Sequence, residues 1–148
     1  MNIETTLDHT GTTPSSQEIP TEALRGLCGG SVHLPGDPGY DTARMPWNVA
    51  VDQRPAAVAL PHTAQEAAEV VAAAARAGLR VAPQSTGHAA APLAEVSLDD
   101  VVLVRMSELT GVTIDPQAAT ARVEGGTLWA DVVAAAAPHG LAALHGSS

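Results

Sequence analysis

Along HTAQEAAEVVAAAARAG (62–78) the apolar residues Ala67, Val70, Val71, Ala74 and Ala75 recur at helical spacing and predict an amphipathic helix. Thr63 with Glu66 forms a capping box at its start, and Gly78 is its natural stop. Short apolar runs flank this helix: a strand near 57–60 closed by Pro61, and LRVAP (79–83), read as a short buried strand. Strand, helix and strand with tight connections make a βαβ unit, whose two strands are expected to be parallel with a right-handed crossover.

VVLVRM (101–106) predicts another buried strand. In GVTIDPQAATARVEGG the alternation Val112, Ile114, then Ala119, Ala121, Val123 predicts a hairpin with one buried face, turning at Asp115-Pro116-Gln117. A second helix is expected from Thr127 to the stop at Pro138–Gly140, and LAALHGSS (141–148) then reads as a strand entering a Gly/Ser loop. Upstream, TEALRGLCG (21–29) looks like a short helix with Thr21 as N-cap and Gly29 as stop. The Pro/Gly-rich stretch 34–48 reads as turns around at most one helical turn.

Composition narrows the chemistry. The chain has 148 residues, no Phe, one Tyr and two Trp, so its core must be built from Ala, Val and Leu. Its formal net charge is −9 and all seven basic residues are Arg, which disfavours nucleic acid and anionic membranes as partners. Without Lys there is neither a phosphate-loop lysine nor a Schiff-base lysine, so an anionic cofactor must be held by backbone N–H groups, helped at most by an Arg. The single cysteine, Cys28, permits no internal disulfide and reads as a small buried hydrophobe. Residues 1–20 lack a basic n-region and an apolar core; they are expected to be a disordered leader on a cytoplasmic protein, followed by one domain over 21–148.

Three loops could carry chemistry. In VAPQSTGHAAAP (81–92) a strand breaks into Gln84, Ser85, Thr86 and Gly87 before His88, at the carboxyl end of a strand where α/β proteins place ligands. On the residues alone, His88 is either a solvated loop histidine or one facing a ligand. Gly125-Gly126-Thr127 precedes a helix and can expose N–H groups to an anion. Gly146-Ser147-Ser148 invites a nucleophilic serine, but the G-x-S-x-G elbow is absent. Among His9, His33, His62, His139 and His145 no pair has metal-ligand spacing, His139 reads as a helix-end cap, and no metal is expected.

Taken together, RMPWNVAVDQRPAAVALPHTAQEAAEVVAAAARAGLRVAPQSTGHAAAP and GVTIDPQAATARVEGGTLWADVVAAAAPHGLAALHGSS resemble the FAD-binding domain of the vanillyl-alcohol oxidase and p-cresol methylhydroxylase (PCMH) superfamily. The nearest likeness is to berberine-bridge-enzyme-like and 6-hydroxy-nicotine-oxidase-like flavoproteins. The resemblance implies an α+β fold of PCMH type: a small βαβ lobe followed by part of a second, mixed or antiparallel sheet lobe, incomplete at the C-terminus.

It further implies that Gln84, Ser85, Thr86 and Gly87 cradle the FAD pyrophosphate, and that His88 is bonded to the 8α-methyl of the isoalloxazine. Gly125, Gly126, Thr127, Gly146, Ser147 and Ser148 would belong to further flavin-binding turns. The family loop commonly has Arg at its start and two glycines before the histidine; here Gln84 and Thr86 stand at two of those places. The complete enzyme is expected to be an FAD-dependent oxidase of C–O or C–N bonds with a small-molecule substrate and oxygen as partners. The chain would be its N-terminal part, without the substrate domain, binding FAD weakly or not at all alone. The competing expectation is a truncated, non-catalytic α/β binding module without flavin.

Overall fold

The structure is a computed structural model that describes residues 21–144. In chain order its strands are β1 (Val32–His33), β2 (Ala57–Ala59), β3 (Arg80–Gln84), β4 (Val101–Arg105), β5 (Val112–Asp115) and β6 (Thr120–Val123). The helices are α1 (Tyr40–Ala43), α2 (Ala64–Arg76), α3 (Ala91–Ala94) and α4 (Trp129–Ala136). The first four strands form one sheet in the order β1-β2-β4-β3, and β5 and β6 pair separately.

The βαβ expectation is met with one refinement. β2 and β3 both run parallel to β4 and hence to each other, but β4 lies between them. Because side chains alternate across a strand, Ala57, Ala59, Val102 and Val104 face α2 with Val70, Ala73, Ala74 and Leu79. Val58 and Leu103 point to the opposite face, where Tyr40 covers them. The small alanines let α2 sit close to the sheet, and burial of Val70 contributes about 1.5–3 kcal/mol. Thr63 Oγ1 accepts from the Glu66 N–H at 3.1 Å, while the Glu66 carboxylate accepts from His62 N–H at 2.7 Å, one residue earlier than a standard capping box. At the other end Gly78 takes φ +70°, and the Leu79 N–H reaches back to the Ala74 carbonyl at 2.9 Å.

Several local expectations are corrected. The stretch 21–29 is not one helix: two 3-10 turns, Thr21–Leu24 and Cys28–Gly30, are separated by Gly26 at φ +85°, which ends the first after one turn. β1 follows, pairing antiparallel with β2, where no strand was expected. On α2 the buried stripe runs through Val70, Ala73 and Ala74, leaving Val71 48% exposed and Ala75 exposed, because the helix meets the sheet about one residue further round. β3 is an edge strand rather than a buried one, which is also where Pro83, with no N–H to donate, is tolerated.

The hairpin forms as expected, with Ile114 opposite Ala121, but β6 is exposed along its whole length and neither face is buried. Its turn is longer than expected, spanning 116–119 with Ala119 at φ +50°, and Asp115 Oδ1 stabilises it by accepting from the Gln117 and Ala118 amides. α4 starts at Trp129 rather than Thr127, because the Thr127 hydroxyl is engaged by both backbone groups of Gly111. His139 ends a short 3-10 turn after α4 and is exposed. Residues 141–144 form no strand; the rest of that expectation, with His145, Gly146, Ser147 and Ser148, and the expected leader over 1–20, lie outside the described residues. The single helical turn at α1, β2 and β4 occur where expected.

Candidate functional site

Three segments converge at the carboxyl ends of β3 and β4. Parallel pairing sets Gln84 opposite Arg105, so both strands end together and the loops that follow them are neighbours. This is where an open α/β sheet offers a ligand crevice. A third segment, Met45 to Val51, crosses over the β3 loop and is tied to it by the Trp47 N–H donating to the Thr86 carbonyl at 2.8 Å.

Beneath this junction lies a buried polar chain. Gln53 is fully buried and Gln84 is 6% exposed. Gln84 Nε2 donates to Gln53 Oε1 at 3.0 Å, while Arg105 Nη1 donates to Gln84 Oε1 at 3.3 Å and to the Met45 carbonyl. Gln53 Nε2 and Arg105 Nε are buried without a partner among the described residues. Arg25, Arg44, Arg54, Arg80 and Arg122 each have a carboxylate partner, whereas Arg105 and the exposed Arg76 have none among the described residues, and of these two only Arg105 lies at the junction. Burial works against its charge and lowers its pKa. A guanidinium left without a carboxylate in so acidic a chain leaves its charge available to an anion.

Arg105 lines a cleft of about 320 Å³ with Ser85, Thr86, Ser107, Thr110, Gly126, Leu128 and Asp131. Two of the three loops singled out in the sequence, around Ser85 and around Gly126, therefore meet across one space. Asp131, in the first turn of α4, adds a carboxylate-bearing residue to the same lining. An adjoining cleft of about 260 Å³ runs from Pro83 along the loop to His88 and Leu93. A separate cleft of about 360 Å³ beside Tyr40 and Pro55 touches none of these loops.

Within the β3 loop Gly87 is buried and adopts φ +78°; a Cβ there would lie 2.7 Å from Pro46 Cβ. The N–H groups of Thr86, Gly87 and His88 make no backbone hydrogen bond among the described residues, which leaves three successive donors available. Ser85, Thr86 and His88 are exposed. The His88 ring stacks on Trp47, centroids 4.3 Å apart and planes inclined by 14°.

The glycine turn plays a different part from the one its sequence suggests. The Gly126 N–H donates to the Leu109 carbonyl and the Thr127 N–H to the Glu124 carbonyl. A Cβ on Gly126 would lie 1.7 Å from the Met106 carbonyl oxygen, so glycine is required there by backbone packing.

Trp47, Gln53 and Arg105 were not singled out in the sequence. Arg105 had a readable signal, a lone cation ending an apolar strand at the carboxyl edge of a parallel sheet. Gln53 had none. Among the described residues no group of three or more His, Cys, Asp or Glu is placed to hold a metal, and no helix is long and apolar enough to cross a membrane.

Amides without backbone partners, a guanidinium without a carboxylate partner among the described residues and an exposed imidazole thus line adjoining clefts. Residues 55–147 match the FAD binding domain family. (R)-6-Hydroxynicotine oxidase of Paenarthrobacter nicotinovorans is 32% identical over 117 residues, 79% of this chain and 25% of that protein. The crystal structure of 6-hydroxy-D-nicotine oxidase from Arthrobacter nicotinovorans superposes with a TM-score of 0.62 at 29% identity, covering 74% of this chain and 24% of the other. A berberine-bridge-enzyme-like protein of Physcomitrella patens gives 0.57 at 26% identity, over 68% and 22%. The chain thus spans about a quarter of the length of these flavoproteins. It has the PCMH-type fold and belongs to the FAD binding domain family.

Proposed function

We propose that this chain forms the part of an FAD-dependent oxidoreductase that holds the ADP and pyrophosphate portion of the cofactor, with His88 as the point of flavin attachment. The observation that carries the reading is the junction at the ends of β3 and β4. There the free amides of the Gly87 turn lie along one cleft, and Arg105, with no carboxylate partner among the described residues, lines the next with Ser85 and Thr86.

The residues divide the work. Amides of Thr86, Gly87 and His88 orient a phosphate; the Ser85 and Thr86 hydroxyls add donors; Arg105 offsets its charge without any lysine. Gly87 lets Pro46 close over the loop, and the Gly125-Gly126-Thr127 turn contributes Gly126 to the lining of the Arg105 cleft. When bound, FAD supplies two-electron redox chemistry, while the protein supplies binding and orientation. The exposed His88 imidazole provides a nitrogen nucleophile beside the diphosphate cleft.

In the complete enzyme the substrate is a small molecule losing two electrons from a C–O or C–N bond, and oxygen is the acceptor. The test is FAD fluorescence anisotropy against increasing concentrations of the chain, followed by competition with ADP. Weak, saturable binding displaced by ADP is expected. Absence of binding, or binding displaced by riboflavin and not by ADP, contradicts the reading.

A further inference from the structure

Trp47 is 67% exposed in a chain with only two tryptophans, so burial in the core does not explain its place. Its surroundings are nevertheless fixed. Its N–H is held by the Thr86 carbonyl at 2.8 Å. Pro46 lies so close to Gly87 that no side chain fits there. The Met45 carbonyl is held by Arg105. The segment is thus anchored on three sides, and the side chain it presents is the indole stacked 4.3 Å from His88.

A histidine that must react at one nitrogen usually has its ring plane set by a hydrogen bond to the other. No hydrogen bond to the His88 imidazole exists among the described residues, and its aromatic contact is with Trp47. Near-parallel planes, inclined by 14°, leave both ring nitrogens at the open edge of the stack while restricting rotation of the ring.

We propose that Trp47 is a positioning residue for His88, holding the imidazole plane so that a ring nitrogen meets the flavin 8α-carbon at a fixed approach. This rests on the reading of His88 as the attachment point. The step joins a ring nitrogen of His88 to the 8α-carbon. One proton leaves that carbon and one leaves the imidazole, and the two electrons of the broken C–H bond reduce the flavin. Dioxygen then takes up two electrons and two protons as hydrogen peroxide, restoring the oxidised flavin. Trp47 takes no part in the bond making; it lowers the orientational cost of reaching it.

The test follows the rate at which FAD becomes attached, by intact mass of the denatured chain, in wild type, Trp47→Leu, Trp47→Phe and His88→Ala. Leucine keeps apolar bulk but removes the aromatic face, so a merely structural role survives it. A stack of this kind is worth about 1 kcal/mol beyond area burial. The expected result is attachment slowed by roughly fivefold in Trp47→Leu. Near-wild-type rate in Trp47→Phe and no attachment in His88→Ala complete it.

Proton NMR gives an independent readout without flavin: the His88 ring protons lie upfield in wild type and move downfield in Trp47→Leu, with thermal unfolding used to confirm that the variant folds. Equal attachment rates in wild type and Trp47→Leu, or unmoved His88 ring protons, overturn the proposal while leaving His88 as the attachment point. Attachment in none of the proteins overturns the His88 reading itself, and this proposal with it.

Discussion

Gln84 and Arg105 face each other across the parallel β3–β4 ladder, and the Arg105 Nη1 donates to the Gln84 Oε1 at 3.3 Å. A neutral amide at the loop start and a cation on the neighbouring strand together put one positive charge at the mouth of the cleft. The charge has no carboxylate partner among the described residues, and its Nε is buried without a hydrogen bond. Such an arrangement is poor for stability and good for an anion.

The two effects separate in Arg105→Met. Loss of a charged hydrogen bond to a phosphate costs about 1.5–3 kcal/mol, so ADP affinity is expected to fall roughly ten- to hundredfold. Relief of the unpaired Nε offsets the lost bonds to Met45 and Gln84, so folding stability should change by less than about 1 kcal/mol. Calorimetric titration with ADP and urea denaturation read the two quantities. Asp131→Asn, removing from the cleft lining a charge of the same sign as the phosphates, is expected to strengthen ADP binding at low salt.

Adjacent glycines are expected to respond differently. In Gly126→Ala the new Cβ meets the Met106 carbonyl at 1.7 Å, backbone against backbone, and the loss should be about 3 kcal/mol or more. In Gly125→Ala the nearest atom is the flexible Met106 Cε at 2.9 Å, and a loss of about 1 kcal/mol or less is expected. Urea midpoints of the two variants provide the comparison. Equal effects would mean that the turn is not clamped between Met106 and Leu109.

Cys28 gives a pH prediction. Burial first, then the charges of Glu66 and Glu69, push its thiol up to about 11. The folded chain therefore holds this proton more tightly than the unfolded chain. The associated stability is fully present below an ordinary thiol pKa of about 8.5. It is lost as the pH rises toward about 11. Tyr40, also raised by burial, adds to the alkaline loss. Urea midpoints between neutral and alkaline pH should fall less in Cys28→Ala than in wild type. Thiol reagents should label Cys28 slowly until denaturant is added.

The fold was legible where periodicity and end signals agree. α2 declares itself through Thr63, Glu66 and Gly78, and β4 through an unbroken apolar run. The 21–29 segment misled because a capping threonine precedes a helix-like pattern whose glycines sit one turn in, at Gly26 rather than at the end. Burial of β3 and of the hairpin faces could not be read, since it depends on which strand lies at the sheet edge and on what covers β5 and β6.

At the site, the Gln84–His88 loop was legible because a Gly-His pair after a parallel strand is a local signal. Trp47 and Gln53 reach that loop from more than thirty residues away in sequence, and only the β3–β4 pairing and the crossing segment bring them there. The Gly126 turn shows the converse: a motif that reads as an anion site also serves a tight approach to Met106, and the Gly126 and Thr127 amides are taken up internally.

The most direct measurement is the intact mass of the denatured chain after expression with flavin available, beside His88→Ala. A gain of one FAD less two hydrogens in wild type and none in His88→Ala is the expected result, placing the cofactor at the junction of β3, β4 and Trp47. An unmodified wild-type mass, or an equal gain in both proteins, would contradict flavin attachment at His88.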